Sequence, residues 1–152
     1  MSAEENKQVA LSIIEALNTR DLSVWSQHLA EDYTAEHPGV SVPLNKTTSI
    51  GYNQRFVTAF PDIHFEVLHL LTEGDYVLIQ WRASGTHTER LATLTGETIP
   101  PTRRSMTVSG VGLTEVRDGK IIRDWSYWDQ LSLLAQLGIT EQPGLFLPPE
   151  GY

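Results

Sequence analysis

An α+β fold, with three opening helices packed against a curved antiparallel sheet and a short closing helix, follows from three observations. Apolar residues recur at helical spacing as far as Pro61, the period drops to two beyond it, and 152 residues suit one domain, since domains usually hold about 100 to 150. Helices first and strands afterwards argue for segregated α and β layers. A strongly twisted sheet closed by helices makes a cone.

The first helix is predicted from Glu4 to Asn18, where Val9, Ile13, Ile14 and Leu17 share one face and acids occupy the first turn, as the helix dipole favours. Asp21 reads as the N-cap of a shorter helix with Leu22, Trp25 and Leu29 along one stripe, ending between Ala30 and Asp32. The stretch from Tyr33 to Pro43, rich in Pro, Gly, Val and Ser, reads as an extended piece and loop. A third helix, Thr48 to Phe60, turns Phe56, Val57 and Phe60 inward and ends at Pro61. Strands follow at Ile63 to Leu71, Tyr76 to Thr88, Arg104 to Val116 and Lys120 to Trp128. Glu73-Gly74-Asp75 and Arg117-Asp118-Gly119-Lys120 are hairpin turns, so the sheet is expected to be an antiparallel meander. The last helix, Asp129 to Leu137, stops at Gly138. Residues 1–138 therefore form one domain, and 139–152 a Pro- and Gly-rich tail containing Leu145, Phe146 and Leu147.

Eleven Lys and Arg against nineteen Asp and Glu leave a net charge of -8, a field that repels phosphate backbones and anionic lipid headgroups. Neither nucleic acid nor a membrane is expected as a partner. The absence of cysteine removes disulfides, thiolate nucleophiles and iron–sulfur ligation. No apolar run approaches the roughly 18 residues of a membrane span, and Met-Ser-Ala-Glu-Glu lacks the basic-then-apolar order of a signal peptide; a soluble, cytoplasmic protein is expected.

No metal site is expected from His28, His37, His64, His69 and His87, because no pair has ligand spacing on one face. No cofactor is indicated either: Gly110-Val-Gly112 lacks the rest of a dinucleotide fingerprint. Those two glycines instead remove side chains from one strand face, leaving room for a ligand or permitting a bend. Both faces of the later strands are partly apolar, with Val108 and Trp128 on one parity and Val111, Leu113, Trp125 and Tyr127 on the other. Covering the outer face predicts a homodimer.

The runs Asp75-Tyr-Val-Leu-Ile-Gln-Trp-Arg-Ala-Ser-Gly-Thr-His87, Ile99-Pro-Pro-Thr102, Asp118-Gly-Lys-Ile-Ile-Arg-Asp-Trp125 and Asp129-Gln-Leu-Ser-Leu-Leu-Ala-Gln-Leu-Gly138, with Phe60-Pro61-Asp62 and Tyr33 to His37, resemble the SnoaL-like polyketide cyclase and predicted ester cyclase family. The resemblance spans residues 5 to 138 and implies the cone of the nuclear-transport-factor-2-like superfamily. That cone hosts isomerases, dehydratases, hydrolases, cyclases and plain binding modules, so function has to be argued from the site. The family's aldol cyclases use an Asp on the last strand and a His on the strand before it. Aligned through Asp118-Gly119-Lys120, those positions are Ser126 and Gly112, neither of which shuttles a proton near neutral pH.

Alternation places Ile122, Asp124, Ser126 and Trp128 on one strand face, which the resemblance assigns to the cavity. A carboxyl group in an apolar pocket has its pKa raised by desolvation, so Asp124 is a candidate general base or acid; the other reading is an ion pair with an Arg. His87 shares parity with Val77, Ile79, Trp81 and Ala83 and could meet Asp124 as an acid–base pair, or it could satisfy a turn carbonyl. His37 and Tyr33 are candidates for hydrogen bonds to a ligand carbonyl or hydroxyl, unless His37-Pro38-Gly39 is only a turn. Asp129 either caps the last helix or adds a second carboxylate. Trp81 and Trp128 are core or cavity wall, an aromatic surface suited to a flat ligand. The function expected is a cofactor-independent acid–base enzyme acting on a small apolar carbonyl or hydroxyl compound, such as a cyclase, isomerase or hydrolase; the alternative is a non-catalytic small-molecule binder.

Overall fold

Ser2 starts the first helix, α1 (Ala3–Thr19), through a capping box: its hydroxyl accepts from the Glu5 amide while the Glu5 carboxylate reaches back to the Ser2 amide, which satisfies two otherwise orphaned donors. The computed structural model describes residues 2–139; the tail with Leu145, Phe146 and Leu147 lies outside the described residues. The second helix, α2 (Ser23–Ser26), is one turn long, shorter than expected. Asp21 accepts from the Ser23 amide at 3.1 Å, and Trp25 is buried.

The chain turns extended at Leu29, not after Asp32. Strand β1 (Leu29–Glu36) buries Leu29, Tyr33 and Ala35, a pattern that a continued helix would have pointed in different directions. Helix α3 (Lys46–Ala59) is capped by Asn45 and Thr48 in a reciprocal pair. Then come β2 (His64–Glu73), β3 (Tyr76–Thr86), a two-residue hairpin of β4 (Leu91–Ala92) and β5 (Thr98–Ile99), β6 (Ser105–Arg117), β7 (Lys120–Trp128) and helix α4 (Gln130–Gln136). The Asp118-Gly119 turn takes φ of 52° and 76°, the left-handed pair that a two-residue hairpin requires.

The main sheet is mixed, not wholly antiparallel. Its order is β1-β7-β6-β3-β2; β2, β3, β6 and β7 form the expected antiparallel meander, while β1 lies parallel to β7 at one edge. Parallel neighbours need a long crossover, and here it is nearly the whole domain. One apolar cluster packs α1, α2 and β1 against Val77, Ile79, Val116 and Ile121; a second joins Phe60, Ile63, Met106 and Leu133. On the outer face Leu71, Tyr76 and Tyr127 stay exposed. No helix among the described residues is long and apolar enough to cross a membrane.

Candidate functional site

Between the concave sheet face and helices α1 and α3 lies a cavity of about 130 Å³, where one water needs only about 10–15 Å³. Its walls are apolar side chains from both helices and from β3, β6 and β7, with a few polar groups among them. Glycine shapes it in two ways. A Cβ on Gly112 would meet nothing nearer than 3.9 Å, so that residue is an open stretch of wall. A Cβ on Gly110 would lie 2.7 Å from Trp128 Cβ and run into the Trp81 ring, so Gly110 lets the two indoles close over the strand.

Asp124 stands on this wall, surrounded by protein but with part of its surface still accessible. The Tyr33 hydroxyl donates to Oδ2 at 2.6 Å and the Thr114 hydroxyl to Oδ1 at 2.6 Å. β1 supplies Tyr33, β6 supplies Thr114, and the register that sets Ala35 and Thr114 beside Asp124 brings them together. Neither Arg82 nor Arg123 pairs with Asp124: Arg82 bonds Glu66 on the exposed surface, and Arg123 stacks over Trp125. Burial raises the Asp124 pKa, and the two hydroxyl donors only partly offset this. Tyr33 is pushed well above its ordinary value by burial and then by the neighbouring carboxylate.

His37 follows β1 and lines the same cavity. Its ring stacks on Tyr52 at 4.1 Å and 21°, and Tyr52, Phe56 and Trp128 continue as an edge-to-face row with centroids 5.6 Å apart. The Trp128 indole N–H donates to the Tyr52 hydroxyl at 3.3 Å. Both His37 nitrogens are buried with no partner among the described residues. Burial, and then the Arg55 guanidinium, lower its pKa from 6.5 to about 4.

The structure therefore brings Asp124, Tyr33, His37, Trp81, Ser126 and Trp128 to one cavity and leaves two predicted residues outside its wall. His87 does not meet Asp124. β3 ends at Thr86, and the buried His87 ring packs against Phe60 at 5.3 Å while Nδ1 accepts from the Thr102 amide at 3.2 Å. It pins the segment before β6, and burial lowers its pKa. Asp129 accepts from the Ser132 amide at 2.9 Å and caps α4. Sequence reasoning missed Thr114 and Tyr52 as contacts. Thr114 shares parity with Gly110 and Gly112 and was legible on that ground. Among the described residues no group of three His, Asp or Glu side chains is placed to hold a metal.

A curved sheet closed by helices over an apolar cavity, with a carboxyl group on the cavity wall, is the nuclear-transport-factor-2-like architecture. The chain belongs to the SnoaL-like polyketide cyclase family, which it matches over residues 7–137. Among solved structures it is similar to AclR of Streptomyces galilaeus, described as a candidate hydroxylase, at TM-score 0.79 and 23% identity over 93% of this chain and 89% of that one. It is also similar to IdmH of Streptomyces antibioticus, a candidate polyketide cyclase, at TM-score 0.73 and 28% identity over 88% and 98%. TsrD of Streptomyces laurentii superposes at TM-score 0.76 with 22% identity over 92% and 99%. No protein of curated function matches the sequence.

Proposed function

We propose that the protein is a cofactor-independent enzyme that moves a proton on a small, polyketide-like or other apolar carbonyl or hydroxyl compound, with Asp124 as the acid–base group. One observation carries the reading: a carboxyl group with a raised pKa, paired with no cation among the described residues, lies on the wall of an apolar cavity. Desolvation makes such a carboxylate a stronger base, and general-base catalysis contributes roughly 10²–10⁴-fold. Tyr33 and Thr114 hold it in place through hydrogen bonds. The likeness to IdmH at 28% identity favours ring closure over hydrolysis. The expected assay result is deuterium exchange in D2O at the carbon next to the carbonyl of an apolar ketone such as 1-tetralone, followed by mass spectrometry and slowed about 10²–10⁴-fold by Asp124→Asn. An Asn variant as fast as wild type refutes the assignment of Asp124.

One observation favours the second reading, a binder without turnover: Ser126 and Gly112, at the aligned positions of the family's acid and base, both line the cavity without a titrating group. Tight retention of a ligand from cell extract, unaltered in mass, with no exchange of any ketone, supports it. In either case we propose a homodimer through the outer sheet face, where Leu71 and Tyr127 are each 63% exposed. Light scattering on wild type and Tyr127→Glu tests it, and a wild-type monomer at micromolar concentration refutes it.

A further inference from the structure

Packing alone does not account for the His37 ring. Tyr52 covers one face, yet both ring nitrogens are buried and neither is paired with any of the described residues. Leaving a buried donor and acceptor unmet is costly, and native structures rarely do so without a ligand or a task. The neighbouring polar groups differ in this respect: the two Asp124 oxygens are both engaged by hydroxyls, and His87, off the cavity wall, has one nitrogen on Thr102 and only Nε2 unpaired among the described residues. Among the described residues, the unpartnered buried side-chain atoms on the cavity wall are the two His37 nitrogens and Trp25 Nε1.

With its pKa near 4, the ring is neutral at physiological pH and presents one N–H and one lone pair. Such an imidazole is a poor proton store but a good hydrogen-bond donor to an oxygen on which negative charge grows. Asp124 is shifted in the opposite direction. Two titratable groups pushed apart on one wall divide the work: the carboxylate takes the proton and the imidazole N–H meets the charge. Continuing the Glu36–Trp125 register by one residue sets His37 beside Ser126, one inward-facing position further along β7 than Asp124. A carbonyl oxygen and its adjoining carbon can address the two groups together.

We propose that His37 is a catalytic residue of this site, its ring N–H stabilising the oxyanion of an uncharged ketone or aldehyde while Asp124 removes the adjoining proton. The proposal rests on the reading of Asp124 above. The C–H pair becomes the C=C bond of the enolate, the carbonyl π pair moves to oxygen, and the proton resides on Asp124 until it returns to carbon or oxygen. The Arg55 guanidinium, close enough to depress His37 protonation, favours the same negative charge.

The test uses 1-naphthol, whose oxygen resembles that of an enol, with 1-tetralone exchange as the activity. His37→Phe keeps an aromatic ring on Tyr52 and removes the donor; it is expected to bind naphthol at least about 10-fold more weakly and to exchange tetralone about 10²–10³-fold more slowly. His37→Gln retains an N–H and is expected to recover most of both. In the wild-type chain, naphthol is expected to shift one ring ¹⁵N–¹H signal of His37. A Phe variant that binds naphthol as tightly as wild type while the ring signals stand still overturns the proposal, as does a Gln variant no better than Phe. If Asp124→Asn leaves exchange unchanged while naphthol still shifts His37, the base assignment falls and the oxyanion assignment stands.

Discussion

Acid should destabilise the wild-type protein through His37 by an amount that follows from its environment. In the unfolded chain the imidazole binds its proton near 6.5, whereas in the folded protein burial and Arg55 delay protonation to about 4. The unfolded state therefore holds more protons between those values. His37's contribution is fully present above about 6.5 and is lost as pH falls towards 4. Integrating over that window gives about 2 kcal/mol lost between pH 7 and pH 5, and about 3 kcal/mol by pH 4. The groups facing the ring are Tyr52 and Arg55 from α3, with Asp124 on the cavity wall that His37 and Tyr52 share. Urea unfolding of wild type and His37→Gln at pH 7 and pH 5 isolates the effect, because Asp124 and His87 titrate in both proteins and cancel. Wild type is expected to lose about 2 kcal/mol more than the variant over this step. Equal losses would mean that the ring is hydrated or paired in solution, and the account of His37 as an isolated neutral imidazole would fail.

Asp124 has the opposite sign: its folded pKa is raised, so its contribution is largest below the unfolded value near 3.8 and is lost as pH rises through the folded value. The stability of Asp124→Asn relative to wild type should therefore increase with pH in paired urea titrations. Gly110→Ala forces a methyl group against Trp81 and Trp128 and is expected to cost about 1–3 kcal/mol, whereas Gly112→Ala, with open space at 3.9 Å, should cost much less while narrowing the cavity; thermal denaturation compares the two. Asp129→Ala removes the α4 cap at about 1 kcal/mol and should leave naphthol affinity unchanged in a fluorescence titration.

Period and punctuation made most of the elements legible, since Pro61, the Asp118-Gly119 turn and Gly138 act locally on the backbone. The parallel edge was not legible: β1 finds β7 across a separation visible in the Tyr33–Asp124 bond, 91 residues apart, and no local pattern encodes that pairing. The same distinction governs the site. Asp124 lies in the middle of a long strand, where alternation is reliable, and it faces the cavity as alternation requires. His87 was assigned by counting in twos from Val77, but the count runs one residue past Thr86, where β3 ends and parity ceases to fix direction; the Thr102 amide and the Phe60 ring fix it instead. His37 is the converse. It shares parity with Tyr33 and Ala35, both buried, but that alternation has meaning only once Leu29 to Glu36 is known to be a strand, and in the sequence the helix runs on to between Ala30 and Asp32, with only an extended piece and loop from Tyr33. The imidazole of the pair thus depended on the one long-range contact that the sequence leaves unwritten: the strand placing His37 at the cavity is held there by residues at the other end of the chain.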